Sequence, residues 1–419
     1  ASMRDVYIIG THATPFRKWP DKSTKDLTRD AYLGALADTG WENGDQIEFA
    51  WFGNCGMWTD GQGSIRGQVC FTPLVRDGLF PERVPMVNVE GGCATGSMAL
   101  HGAWKDILSG QAEVSLAIGV EKIYHPDAPE KTTAMFDGAI DRYDPDEWRD
   151  YYRAAGDKAG KPFDPAPNRT IFMDTYAMQA SHHMARHGTT QRQIAIGAAK
   201  NHCNGALNPN AQYRFELSVD DVLEDRTISH PLTRAMCAPI GDGAAAAILC
   251  SEDYLGDLPA KTRDRAVRVA ASALTGGKYR DLDEPGLSQH AARKAYKMAG
   301  VGPGDIDVAE LHDATSFCEI YQSEMMGFCD IGEGGRLIES GATMLDGRLP
   351  INTSGGLVSK GHPVGATGLS MIDELSQQLR GEAGARQVNG AEWALAENGG
   401  GVIGFDEAAC AVTLLHKDR

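Results

Sequence analysis

Short apolar runs alternate along the chain with segments whose hydrophobic residues recur at helical spacing. Residues 6–10 (Val-Tyr-Ile-Ile-Gly), 49–53, 84–89 and 114–120 read as strands, and residues 26–39 and 94–109 as helices. That alternation points to an α/β architecture around a mainly parallel sheet. The rhythm then stops. Residues 124–239 are rich in Pro, Asp, Tyr and His, and only 174–187 and 190–203 read as helices. This region reads as an insertion standing off the sheet. A buried strand returns at 243–250 (Gly-Ala-Ala-Ala-Ala-Ile-Leu-Cys).

A second half follows. It runs strand 267–271, helix 286–299, strand 308–311, loop-to-helix 312–326, strand 349–352, helix 366–379, and strands 393–395 and 410–415. The expected organisation is one half from 1–123 with 240–265, an inserted domain over 124–239, and a second half over 266–419. The halves echo each other. Val87-Asn88-Val89 leads through glycines to Ala94-Thr95-Gly96, and Ile351-Asn352 leads through glycines to Ala366-Thr367-Gly368. Internal duplication is the economical reading, with two equivalent helix N-termini facing one cleft.

Composition narrows the class. The 419 residues are 42% hydrophobic and 23% charged, so general disorder is excluded. A net charge of −17 without a basic cluster argues against nucleic-acid binding. No apolar run approaches the roughly 18 residues of a membrane span. Ala1-Ser2 before Met3 read as a cloning remnant, and the start lacks the apolar stretch of a signal peptide. Nine scattered cysteines with no Cys-x-x-Cys pair suggest no metal site and a reducing, cytoplasmic location.

Four places carry chemistry. Cys93 follows a strand in Gly91-Gly92-Cys93-Ala94-Thr95-Gly96 and opens a helix, whose dipole favours a thiolate. Paired glycines there suggest that something must approach closely, whereas the other eight cysteines read as small core residues. His362 stands alone in the glycine-rich turn 355–368, where a neutral imidazole can take a cysteine's proton. His312 follows the strand 308–311, where α/β sheets place ligands. It reads equally as a structural histidine bonded to Asp313. Asn398-Gly399-Gly400-Gly401 reads as an anion-binding backbone or as a plain loop. The insertion's aromatic residues (Trp148, Tyr151, Tyr152, Phe163, Phe172, Tyr176) would line an acyl pocket or form that region's own core.

Together these motifs resemble the thiolase superfamily over nearly the whole chain. The first strand with Thr14-Pro15-Phe16, the Cys93 turn, Gly241-Asp242-Gly243-Ala244 and Gly361-His362-Pro363-Val364-Gly365-Ala366-Thr367-Gly368 all match. His312-Asp313 is similar to the His-Asp pair of the sterol-carrier-protein-type branch. The resemblance implies a five-layered α-β-α-β-α fold from two duplicated halves with an inserted loop domain. It implies 3-oxoacyl-CoA thiolase or acyl-CoA C-acyltransferase chemistry, with coenzyme A as substrate and no bound cofactor. Cys93 would carry the acyl group and His362 would activate it. His312 would serve one oxyanion hole, and the Cys93 N–H with Gly399 the other. Such proteins are homodimers or tetramers, and several branch members pair with a small OB-fold, zinc-ribbon subunit. This chain has no zinc-ribbon cysteines, so that module would be a partner.

The chain departs from the family at the second acid/base, normally a cysteine. One family position holds Glu397 and the other Ala314. Glu397, Cys318 and Cys410 are the candidates to replace it. Related departures occur in branch members acting on aromatic succinyl-type thioesters, steroid side chains or phenolic carbon. Three competing readings remain: a decarboxylating ketoacyl synthase, whose Asn-Ser-Phe-Gly-Phe-Gly-Gly stretch is absent; a retro-aldolase, disfavoured by Cys93; and a partner-dependent subunit with little activity alone.

Overall fold

Helix α1 (Thr24–Thr39) shows how the sequence sets its boundaries: Ser23 and Asp26 form a reciprocal capping box, and Gly40 closes the other end at φ +80°. In this computed structural model, residues 4–418 are described. The presumed remnant Ala1-Ser2 lies outside them. Around α1 the first half comprises β1 (Val6–Ala13), β2 (Phe49–Gly53), α2 (Arg66–Arg76), β3 (Met86–Val89), α3 (Thr95–Leu108) and β4 (Val114–Glu121). The inserted region holds α4 (Pro129–Asp137), α5 (Pro145–Ala159), α6 (Ile171–His187), α7 (Gln191–Ala206), α8 (Val219–Glu224) and the small β5–β6 pair (Thr227–Ser229, Leu232–Thr233). Then come β7 (Gly243–Ser251), α9 (Glu252–Gly256), α10 (Ala260–Arg265), β8 (Val267–Gly276), α11 (Leu287–Ala299), β9 (Val308–Leu311), α12 (Ser316–Met325) and α13 (Gly334–Glu339). The chain ends with α14 (Gly356–Lys360), α15 (Thr367–Arg380), β10 (Trp393–Gly400) and β11 (Ala409–His416).

Nine strands form one sheet in the order β3-β2-β4-β7-β1-β8-β11-β10-β9. Among the described residues two pairs, Tyr7 with Arg268 and Ile8 with Val267, join its halves. Ile351 adds a single parallel bridge to Ala309 beyond β9. Taken in chain order, both halves therefore have the same strand sequence across the sheet. The expected mainly parallel pairing does not hold. β2 pairs parallel with β3 and β4, and β9 with β10, but β4–β7, β7–β1, β1–β8, β8–β11 and β11–β10 are antiparallel. Each half's last strand returns antiparallel beside its first, which local sequence does not encode. The strand expected at 349–352 shrinks to the Ile351 bridge, because residues 352–361 turn immediately into glycine-rich backbone.

Helices α3 and α15 lie between the two halves of the sheet, and α1 and α11 cover the outer faces. The repeated Ala-Thr-Gly has a packing reason. A Cβ on Gly96 would sit 2.9 Å from Leu369 N, and one on Gly368 would sit 2.5 Å from Ser97 N. The two helix starts thus meet backbone to backbone, and each needs its glycine.

The insertion does not simply stand off the sheet. Helix α7 crosses to the second half. Its Lys200 Nζ donates to Ile351 O at 2.6 Å and pairs with Glu319 at 3.0 Å, and Asn201 Nδ2 donates to Asp313 at 2.8 Å. Helices α4 and α5 were not expected. Each begins with a proline, which suits a first helical position but reads as a breaker in a Pro-rich segment. No helix among the described residues is long and apolar enough to cross a membrane.

Asp242 explains the Gly241-Asp242-Gly243 motif. Fully buried, it accepts from the backbone N–H of Ile123 (2.7 Å), Tyr124 (2.9 Å) and Trp19 (2.9 Å), and from Lys122 Nζ at 3.3 Å. Asp242→Ala strands these donors and is expected to cost about 3–5 kcal/mol. Urea denaturation measures it; an unchanged midpoint would contradict the role.

Candidate active site

The Cys93 turn is built by close backbone contact. Gly92 takes φ +58°, and Ala94 N and Thr95 N donate back to Gly91 O and Gly92 O, both at 3.2 Å. Thr95 Oγ1 accepts from Gly91 N at 2.9 Å and donates to Gly92 O at 2.6 Å. A Cβ on Gly400 would lie 2.3 Å from Cys93 N, and one on Gly92 would lie 2.5 Å from Gly401 N. The glycines of β10 therefore seat against the cysteine's own backbone. Gly399 and Gly400 belong to the strand, opposite Cys410 and Ala409, not to a loop after it.

His362 follows Gly361, held at φ +114° after α14. Its Nδ1 lies 2.6 Å from Thr367 Oγ1, whose proton is directed to Pro363 O at 3.2 Å. The network therefore assigns the ring proton to Nδ1. Nε2 is left as an acceptor, 3.1 Å from Cys93 Sγ. Glu121 fixes this turn to the first half, accepting from Gly365 N (3.1 Å), Cys55 N (2.9 Å) and Gly56 N (2.9 Å). Sequence reading missed Glu121, which looks like an ordinary charge ending β4.

His312 stands at the end of β9 with its ring 5.2 Å from that of His362. Ligating atoms of Cys93, His312 and His362 all lie within 4.8 Å of one another. Asp313 does not hold the His312 ring. Its carboxylate accepts from Leu357 N at 2.7 Å and Asn201 Nδ2 at 2.8 Å instead. His312 Nε2 is buried with no hydrogen-bond partner among the described residues, so a polar group of a bound molecule would satisfy it.

A family model of the thiolase N-terminal domain matches residues 6–253, and one described as thiolase C-terminal domain-like matches residues 276–412. The chain belongs to the thiolase family. Among curated relatives, it is 38% identical to an acetyl-CoA acetyltransferase of Methanothermobacter thermautotrophicus, covering 96% of this chain and 98% of that protein. It is 30% identical to the benzoylsuccinyl-CoA thiolase subunit BbsB of Thauera aromatica, covering 92% and 91%. Sterol carrier protein 2 of Rattus norvegicus is 34% identical over 96% of this chain and 73% of its own length. In structure the chain is similar to the Ltp2-ChsH2(DUF35) aldolase (TM-score 0.76, 24% identity, 99% and 98% covered). It is also similar to human mitochondrial 3-ketoacyl-CoA thiolase (TM-score 0.69, 16% identity, 100% of both chains). Both likenesses show the five-layered thiolase fold.

In this thiolase-family site, burial dominates the electrostatics. It pushes the Cys93 thiol up to about 12, with the charges of Glu407 and Glu121 adding to the rise. Burial holds His312 down at about 4. It also holds His362 well below its ordinary value, with His312 and Lys360 contributing. The resting pair is a neutral thiol facing a neutral imidazole. This corrects the expectation of a thiolate held by the helix start. A helix terminus contributes about 0.3–1 kcal/mol to a nearby charge, too little to offset this desolvation.

The candidates for the second acid/base separate. Glu397 Oε1 accepts from His312 N at 3.3 Å and Oε2 from Cys410 Sγ at 3.5 Å, and both residues are buried. Burial, then the charge of Glu407, raises Glu397 well above the usual carboxyl range. Cys318 does reach the cleft beside His312, with its thiol 3.4 Å from Thr315 Oγ1. The aromatic residues divide as well. Trp148, Tyr151, Tyr152 and Phe163 pack with Phe405 as a local core; Phe172 packs against that core and also lines the cleft, with Tyr176 and Phe317.

Proposed function

We propose that this thiolase-family enzyme is a 3-oxoacyl-CoA thiolase or closely related acyl-CoA C-acyltransferase working through an acyl group on Cys93. The 3.1 Å contact from Cys93 Sγ to a lone-pair-bearing His362 Nε2 carries the reading. His362 takes the thiol proton as the sulfur attacks a thioester or 3-oxo carbonyl. His312 Nε2, otherwise unpartnered, holds a substrate oxygen or water. The backbone N–H of Cys93 and Gly399 stabilise the second oxyanion, in the manner that contributes about 2.7–4 kcal/mol per donor elsewhere.

Coenzyme A is substrate rather than resident cofactor in this scheme. Phe172, Tyr176 and Phe317 on the cleft wall support an apolar or aromatic acyl group. The homodimer or tetramer of the family is the expected assembly. The 30% identical relative is named as a subunit, which supports a partner subunit here too; the small OB-fold, zinc-binding module is the kind proposed. Mass spectrometry of the intact protein after exposure to a panel of acetyl-, succinyl-, benzoylsuccinyl- and longer-chain acyl-CoAs tests the reading, with and without that partner. The expected result is one acyl adduct on Cys93, with the chain preference read from the panel. No adduct from any member, under either condition, would refute it.

A further inference from the structure

Making or breaking a carbon–carbon bond next to a thioester needs a group that gives and takes the α-carbon proton. Glu397 and Cys410 are tied to each other inside the sheet, and Glu397 is also held by the backbone N–H of His312. Cys318 reaches the cleft wall with its thiol against Thr315. Two further acids line the cleft, both in the turn joining β10 to β11 and neither singled out by the sequence motifs: Asp406, whose carboxylate is taken up by Arg280 and backbone donors, and Glu407.

That turn is firmly held. Ala408 N donates to Gly400 O at 2.9 Å and Val402 N to Ala139 O at 2.9 Å. Asp406 accepts from Arg280 Nε at 2.9 Å, Lys278 N at 3.1 Å and Leu287 N at 3.2 Å. Tyr152 Oη donates to Gly404 O. So placed, the Glu407 side chain folds back over the strand. A Cβ on Gly399 would lie 2.8 Å from both its carboxyl carbon and Oε1. The missing side chain at 399 is therefore the space that the carboxyl group fills. Glu407 shares the cleft wall with His312, Cys318 and Tyr176. Among the described residues, no side chain hydrogen-bonds its carboxylate.

We propose that Glu407 exchanges the α-carbon proton in this enzyme, the part for which the family uses a cysteine; this rests on the acyl-Cys93 reading above. In the cleavage direction His362 takes the Cys93 proton and Sγ bonds to the 3-oxo carbon. The C2–C3 bond breaks and its electron pair goes to C2, which takes the proton of the Glu407 carboxyl group. Acyl-Cys93 and a Glu407 carboxylate remain. The coenzyme A thiol then gives its proton to that carboxylate, and its sulfur bonds to the acyl carbon. The Cys93 thioester bond breaks, and Sγ regains the proton held by His362. Synthesis runs these steps in reverse.

The electrostatics agree with this geometry. Burial, then the charge of Asp406, lifts Glu407 to about 7, where a carboxyl group can both donate and accept at neutral pH. Its charge is also among the causes that raise Cys93, Cys318 and Tyr176.

The test compares wild type, Glu407→Gln, Glu407→Asp and Cys318→Ser in D2O with acetyl-CoA and succinyl-CoA. It follows two readouts: deuterium entering the α-position of the thioester, and acylation of Cys93 by intact mass. Glu407→Gln is expected to lose about 100-fold or more in exchange while still accepting an acyl group on Cys93. Glu407→Asp recovers part of the exchange, and Cys318→Ser loses less exchange than Glu407→Gln. Wild-type exchange by Glu407→Gln, or loss of exchange only in Cys318→Ser, would overturn the proposal. Parallel loss of acylation and exchange in both Glu407 variants would make the residue structural and overturn it too. A wild type that never acylates on Cys93 would instead remove the parent reading and this assignment with it.

Discussion

Cys93→Ala is expected to lower acyl transfer by about 10^4-fold or more and to abolish the acyl adduct, because it removes the atom that carries the intermediate. The fold should survive. The turn is held by backbone bonds of Gly91, Gly92 and Thr95 rather than by the sulfur. A residual rate would reflect the histidines and backbone donors that remain. Cys55 is the informative control. It is also next to the turn, with its thiol 3.4 Å from Gly92 O and 3.1 Å from Thr95 Oγ1. Cys55→Ala should keep the Cys93 adduct and most of the turnover. Steady-state turnover and intact mass of both variants decide the matter; a Cys93→Ala protein with wild-type turnover would exclude covalent catalysis.

The convergence of Cys93, His312 and His362 was legible because each residue announces itself locally: one between glycines and a helix start, one past a buried strand, one alone in a glycine-rich turn. The duplication was legible for a related reason. Gly96 and Gly368 pack against each other's helices, so the same short motif must occur twice. Pairing direction in the sheet was not legible, since β7 meets β4 and β1, and β11 meets β8, across long stretches of chain. Helices α4 and α5 were hidden by prolines that start helices as readily as they end them. Glu121 and Glu407, and the role of Asp242 within its motif, were hidden differently. An acid buried for its backbone partners, or for its place on a cleft wall, has the same letter as one on the surface. Protonation was the remaining miss: the strand-to-helix turn suggested a thiolate, and only the surrounding atoms show how much solvent the sulfur has lost.

His362→Ala is expected to lower the rate of Cys93 acylation by about 10^2–10^4-fold, the usual contribution of a positioned base, and to change its pH dependence. In the wild type the base is an imidazole held well below 6.5 by burial, His312 and Lys360. It is therefore neutral, and able to accept a proton, throughout the range from 6.5 upward. The acidic limb of the wild-type profile should lie below 6.5, with little change toward mildly basic pH. Without the imidazole, only the thiolate reacts. Burial holds Cys93 at about 12, so in the variant the reactive fraction is minute at neutral pH. It should climb about tenfold per pH unit. Rapid-quench mass spectrometry of Cys93 across pH reads both slopes. A flat profile in the variant at near-wild-type rate would show that some other group removes the proton. A wild-type profile with its acidic limb above 6.5 would show that the imidazole is not held neutral in the way its burial demands.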